Sequence, residues 1–311
     1  MSPVQQGSDA PGTVITVGTF DGVHLGHRKV LNEVTCRARE RGRKSVLVTF
    51  EPHPLEVVNP GAAPRLLTLA DERREILAQS ELDVVAFLRF TPELSRFSPD
   101  DFVRLLIARF DMRELVIGYD HGFGKGRAGD VTLLRVLGKR LGFGVEVVPE
   151  VDVGPRSVSS TRIRRAIAGG DLKEANLLLG RAYSMNASVV PGAHRGRGLG
   201  YRTINLAVGD DRKLLPPDGV YAVRVEWASG SAGGMMHLGP RPTFGEADRS
   251  MEVHLIDTDE ALYGSTVKVS WADRLRDVKQ FGSSSELVEQ LARDLEAARS
   301  ALTRTTGLSS Y

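Results

Sequence analysis

Apolar and polar positions follow two rhythms along this chain, and the change falls near residue 180. In the first part, short apolar runs at 14–17, 46–50, 84–88, 115–118 and 145–148 read as buried strands. Helical spacing fills the gaps. Val30, Leu31, Val34 and Ala38 recur at that spacing, and a charged helix is predicted over 71–80. Ser98-Pro99-Asp100-Asp101 is a strong helix start, with a cap residue, a proline at the first position and acids in the first turn. Phe102, Leu105, Leu106 and Phe110 form its expected buried stripe. Further helices are predicted over 131–141, from Ile163, and over 171–179. Strands alternating with helices predict an α/β domain at 12–180, built on a parallel, doubly wound sheet. After 180 the strand-like runs come closer together, at 220–227, 235–238, 252–256 and 267–271, with turn residues between them. Their frequency predicts a small antiparallel β-barrel over 181–305. One long helix closes this part: Ser283 and Glu286 form a capping box, and Leu287, Leu291, Leu295, Ala298 and Leu302 its apolar stripe. It is expected to pack across the barrel or against the first domain.

At 311 residues the chain exceeds what one core usually holds, in agreement with two domains. Composition adds mainly exclusions. With 41% apolar and 26% charged residues the chain has the make-up of an ordinary globular protein. A net charge of +2, with neither a basic face nor interleaved aromatics, argues against a nucleic-acid partner. The densest basic run, residues 39–44, falls at a helix end, where positive charge suits the dipole. No apolar run approaches the ~20 residues of a membrane span, and residues 1–11 read as a loose leader without a signal pattern. The lone Cys36 excludes an internal disulfide framework and fits a reducing cytosol. The expectation is a cytoplasmic protein with no membrane contact and no obligate protein partner.

The candidate chemistry begins at residues 18–27, GTFDGVHLGH. A strand runs into a glycine-rich turn and a helix start. Glycines admit close approach of backbone N–H groups to an anion, and the helix N-terminus adds a favourable dipole. His24 and His27, three apart, share one face of a helical turn. Such a set suits a polyphosphate; a buried, satisfied His pair or half a metal site are the plainer alternatives. Farther on, Pro52 and Pro54 bracket His53 at the end of a strand, where proline is expected to prevent helix. The loop at 118–129 carries Lys125 and Arg127 among glycines, but fits neither a dinucleotide fingerprint nor a Walker A loop. Ser159, Ser160 and Thr161 cluster before an apolar-periodic helix, with Arg162 and Arg164 one turn in, either an N-cap cluster or a phosphate cradle. A second basic glycine loop spans 192–200, and alternation puts Glu252 and His254 on one strand face, opposite Val253 and Leu255.

The HxGH pattern within GTFDGVHLGH, followed by TFEPHP at 49–54 and SSTRIR at 159–164, resembles the bacterial bifunctional riboflavin kinase/FAD synthetase family. The segments RGRGLGYRTINL at 195–206, LPPDGVY at 215–221 and GPRPTFG at 239–245 are similar to that family's kinase half, so the resemblance covers roughly residues 12–303. It implies a Rossmann-like nucleotidyltransferase domain followed by a kinase barrel. The first would adenylylate FMN to FAD with release of pyrophosphate, the second phosphorylate riboflavin to FMN. By the same resemblance His24, His27 and Glu252 are catalytic, with Glu252 the general base of the kinase. Gly18, Phe20, Gly26, Asp120, Ser159, Ser160, Thr161 and Arg164 would bind ATP in the adenylyltransferase, and Phe50, Pro52, His53 and Phe123 the flavin. Gly196, Arg197, Gly198, Gly200, Thr203 and Asn205 would bind the kinase's nucleotide, Thr203 also facing Mg2+. The implied partners are riboflavin, FMN and ATP, with FMN and FAD as intermediate and product. Arg202 stands where that family has proline and Ile204 where it has alanine. A monofunctional FMN adenylyltransferase with an idle barrel, or a flavin- or nucleotide-binding regulator, is therefore the alternative.

Overall fold

The structure is a computed structural model that describes residues 12–119, 130–191, 201, 203–241, 246–258 and 260–305. The chain forms two compact units, Met1–Pro64 with Arg73–Val158, and Arg65–Glu72 with Ser159–Tyr311.

In the first unit β1 (Thr13–Val17), α1 (Leu25–Glu40), β2 (Lys44–Glu51) and α2 (Pro54–Val58) come first. Next are α3 (Ala70–Ala78, in this unit from Arg73 on), β3 (Val84–Arg89), α4 (Pro99–Phe110), β4 (Met112–Gly118), α5 (Val131–Leu141) and β5 (Gly144–Val148). All strand pairings in this sheet are parallel, in the order β3-β2-β1-β4-β5. The sheet is buried on both sides, which is why its strands read as unbroken apolar runs. Val14, Leu47 and Val116 pack with Val30, Leu31, Val34 and Ala38 of α1 on one face. Ile15, Val48, Leu115 and Ile117 pack with Phe102 and Leu106 of α4 and Leu134 and Leu137 of α5 on the other. The order reverses at β1, so the C-terminal ends of β1 and β4 form a topological switch point, where open α/β sheets bind ligands. The basic run at the end of α1 takes part in ion pairs. Arg41 lies 3.2 Å from the buried Glu114, which also accepts from Arg37 at 2.7 Å. A small hairpin, β6 (Asp152–Val153) with β7 (Arg156–Ser157), ends the unit.

The second unit opens with α6 (Ser160–Ala168) and α7 (Leu172–Leu179). A closed barrel follows: β8 (Tyr183–Val190), β9 (Thr203–Ala207), β10 (Gly219–Trp227), β11 (Gly230–Arg241), β12 (Glu246–Leu255) and β13 (Thr266–Arg276), in the order β10-β11-β12-β9-β8-β13. Four of these strands match the apolar runs read from sequence; β8 and β9 carry too many small and polar residues to announce themselves. Val253 pairs with Met236 on one side and Ile204 on the other, all three buried in the barrel. The closing helix α8 (Ser284–Thr305) lies across the barrel, with Ala298 and Ala301 packed on Val220, Ala222 and Met235. Its cap differs slightly from a reciprocal box: Glu286 N–H donates to Ser283 Oγ, but the Glu286 carboxylate accepts from Gly282 N–H at 3.1 Å.

Residues 65–72 add to this unit's wall. Leu66 N–H donates to Arg212 O, and Leu214 N–H donates back to Leu66 O. Between them Lys213, its side chain 0% exposed, donates to Leu67 O at 2.8 Å, Ser184 O at 2.6 Å and Glu72 Oε2 at 2.6 Å. All three ammonium protons are thereby used. Glu72 in turn accepts from Asn186 N–H and Leu69 N–H.

Candidate functional site

Past β1 the backbone makes an abrupt turn. Gly18 N–H still donates to Val48 O, after which Phe20, Gly22 and Val23 take positive φ of 48°, 83° and 39°. A left-handed β-branched valine is a strained conformation, of the kind that concentrates at functional sites. The turn delivers His24 to the N-cap of α1, and its Nδ1 accepts the His27 N–H at 3.3 Å. An accepting Nδ1 carries no proton, so His24 presents its N–H from Nε2. The two imidazoles stack, with centroids 3.6 Å apart and planes 17° apart, and His27 leans on Phe20 at 4.6 Å. Among the described residues His27 Nδ1 is buried without a hydrogen-bond partner. Burial first, and His24 second, push the His27 pKa well below the usual imidazole range. A Cβ on Gly26 would lie 3.2 Å from two atoms of the His24 ring, which explains glycine between the histidines.

The neighbouring strand end carries the second predicted turn. The Glu51–Pro52 peptide is cis, and His53 caps α2, its Nδ1 accepting from Leu55 N–H at 3.2 Å. Here the sequence expectation is corrected: Pro54 does not prevent a helix but starts one, because the first helical position needs no N–H. The Phe50 ring is a core group, edge-on to Phe90 at 5.3 Å and near Phe102 at 6.2 Å. Sequence reasoning missed Arg73. This α3 residue is 2% exposed, and it donates to Thr19 O at 3.1 Å, Phe50 O at 2.8 Å and Glu51 Oε2 at 2.7 Å. Nothing in its charged local sequence distinguishes it from a solvated arginine.

In the second unit Ser159 is the N-cap of α6, its Oγ accepting from Arg162 N–H at 3.3 Å, and Ser160 and Thr161 open the helix. Arg162 pairs with Glu174, and Arg164 donates to Arg65 O. On the barrel the predicted kinase residues come together. Asn205 stands opposite Glu252, and Thr203 opposite His254, across β9 and β12. His237 of β11 flanks Glu252 from the other side. All five half-buried side chains share the sheet face opposite the buried Val253 and Ile204. Tyr201 stands edge-on to His254 at 5.1 Å. Asp120, Phe123, Gly196, Arg197, Gly198 and Gly200 lie outside the described residues, as do Lys125, Arg127 and Arg202.

Among the described residues no cluster of three or more His, Cys, Asp or Glu side chains could hold a metal ion by itself. Mg2+ takes oxygen ligands and commonly relies on substrate phosphates and water for most of them, so Thr203, on one sheet face with Asn205 and Glu252, is an oxygen donor of the kind that fits such an ion.

A FAD synthetase family model matches residues 6–162, and a riboflavin kinase family model matches residues 179–302. A protein of Escherichia coli strain K12, named bifunctional riboflavin kinase/FMN adenylyltransferase, is 36% identical over 94% of both chains. A Listeria monocytogenes protein of the same name is 34% identical over 92% of this chain and 91% of its own. A crystal structure from Streptococcus pneumoniae, described as a macrolide-efflux protein, shares the fold with a TM-score of 0.84 at 32% identity, covering 94% of this chain and 95% of that one. Among the described residues of this chain no helix is long and apolar enough to cross a membrane. With both family matches in order and such identity along nearly its whole length, the chain belongs to the bifunctional riboflavin kinase/FMN adenylyltransferase family.

Proposed function

We propose that the barrel unit transfers the γ-phosphate of ATP to the 5′-hydroxyl of riboflavin, and that the N-terminal unit adenylylates the resulting FMN. The observation that carries this reading is the presence of both family domains in one chain, which favours two activities over adenylyl transfer alone. In the kinase, Glu252 takes the proton of the flavin hydroxyl as it attacks, and Asn205, opposite it, helps to fix the nucleotide. Thr203 would hold Mg2+, which supplies charge neutralisation on the phosphates when bound. In the adenylyltransferase, a phosphate oxygen of FMN attacks the α-phosphorus of ATP and pyrophosphate leaves. Negative charge builds on the α-phosphate oxygens, and His24 offers them its Nε2–H from a helix N-terminus. His27, uncharged by burial, backs the His24 ring through their stack. Gly18, Phe20 and Gly26 form the turn that receives the ATP phosphates. Pro52, His53 and Phe50 take the flavin side, Phe50 through the core that supports the turn. The sequence resemblance assigns Ser159, Ser160, Thr161 and Arg164 to the departing pyrophosphate, and Asp120 and Phe123 to ATP and flavin. It assigns Gly196, Arg197, Gly198 and Gly200 to the kinase's nucleotide. The enzyme is read as cytoplasmic.

The test is chromatographic: purified protein with ATP and Mg2+, started from riboflavin in one reaction and from FMN in the other. Both should yield FAD. His27→Ala should abolish FAD formation and spare FMN formation, and Glu252→Gln should do the reverse. Parallel loss of both activities in either folded variant refutes the separate sites.

A further inference from the structure

The pairing of β1 with β2 ends at Gly18 N–H to Val48 O, beyond which one segment leads to His24 and the other to His53. Side chains continue the connection where the backbone ladder stops. Thr49 Oγ1 donates to Thr19 O at 3.1 Å, and Arg73 Nη1 donates to the same oxygen at 3.1 Å. The other arm of that guanidinium, Nη2, reaches Phe50 O at 2.8 Å and Glu51 Oε2 at 2.7 Å. One planar fork therefore grips the residues just before each turn's distinctive segment: Thr19 before Phe20–His24, and Phe50 and Glu51 before Pro52–Pro54. The Phe87 ring lies 5.4 Å from the guanidinium carbon, and the carboxylates of Glu51 and Asp21 compensate its charge.

We infer that Arg73 is a positioning residue for adenylyl transfer, a planar fork that fixes the spacing between the phosphate turn at 18–24 and the flavin turn at 51–54. This rests on the reading of the N-terminal unit as an FMN adenylyltransferase. In-line attack joins an atom of one substrate to an atom of the other, so the rate depends on the distance between the two turns more than on either one's affinity. Misplacement by about 1 Å can cost 10²-fold in rate. Arginine is required because its two Nη groups diverge within one plane toward carbonyls on two separate segments; a lysine supplies the charge from a single nitrogen on a flexible stem.

The experiment uses the full chain with Arg73→Lys, measuring FMN adenylylation and riboflavin phosphorylation in the same preparation. The expected result is a fall of about 10²-fold in kcat for adenylylation, with KM for ATP little altered and the kinase activity that of the wild type. If Arg73 only balanced the charge of Asp21 and Glu51, lysine would restore kcat, and that result overturns the inference. So does a parallel fall of both activities. Should Arg73→Lys not fold, Thr49→Val removes one of the two bonds to Thr19 O; a smaller selective loss of kcat supports the inference and wild-type kcat overturns it. A wild-type chain that makes no FAD from FMN overturns the adenylyltransferase reading itself, and this inference with it.

Discussion

Alanine at position 26 separates stability from catalysis. Gly26 is the second residue of α1, a helical position where alanine is ordinarily favoured over glycine by about 0.5–1 kcal/mol. The added methyl, however, would sit 3.2 Å from both Cε1 and Nδ1 of His24, closer than ordinary van der Waals contact, so the ring must give by a few tenths of an ångström. That ring also stacks on His27 at 3.6 Å and accepts the His27 N–H at 3.3 Å, so a shift disturbs the paired imidazoles as a unit. The helix gain and the contact cost oppose each other, and net stability should stay within about 1 kcal/mol, or ~2–4 °C in Tm. Catalysis has no such offset. If 1 Å of misplacement costs about 10²-fold, a few tenths should cost about 3- to 6-fold in adenylylation. The assay is FAD formation from FMN and ATP, with riboflavin phosphorylation and thermal unfolding followed on the same sample. Gly26→Ala with undiminished adenylylation would refute the argument that glycine is there to seat His24. A large drop in Tm would refute the balance of terms.

Two further outcomes follow from buried charge. His27 has a depressed pKa in the folded chain, so below pH 6.5 the unfolded chain binds a proton that the folded chain does not. Stability should therefore fall as pH drops from 6.5 toward the folded pKa, by at most about 1.4 kcal/mol per pH unit. His27→Asn should remove that component, as urea unfolding at pH 7.5 and pH 5.5 would show; identical slopes for variant and wild type would count against it. Lys213→Met leaves Glu72 buried without its cation, and removing one partner of a buried pair costs about 3–5 kcal/mol. Lys213→Met/Glu72→Gln should recover part of that loss in denaturant unfolding, whereas simple additivity would contradict the pairing.

The parts legible from sequence were those with a strong local signal. The helix predicted over 131–141 is α5 (Val131–Leu141), because an apolar stripe and a glycine stop at Gly142 mark both features of it. The five parallel strands were visible because burial on both faces leaves uninterrupted apolar runs. Glu252 and His254 were placed on one face by alternation, and the barrel holds them so. What was not legible depends on distant partners. Thr203–Ala207 reads as a nucleotide motif, and only its pairing with β8 and β12 makes it a strand. Arg73 looks like any helix-surface arginine until the chain brings Thr19 O and Phe50 O to it. The packing of the Phe50 ring against Phe90 and Phe102 likewise depends on partners distant in sequence.

The eight residues Arg65–Glu72 bear on how this protein can be dissected. A gene cut after Val158 looks like a clean division between two catalysts, yet it leaves this stretch with the wrong half. A kinase fragment starting at Ser159 lacks the carboxylate that neutralises Lys213, and the Leu67 carbonyl that shares its protons. The complementary fragment carries Leu66 and Leu67, both buried in the intact chain, as uncovered apolar groups on a loose segment. Poor solubility of either fragment would then reflect a misplaced segment, and a kinase fragment supplied with residues 65–72 as a tethered extension is the better starting point for isolating that activity.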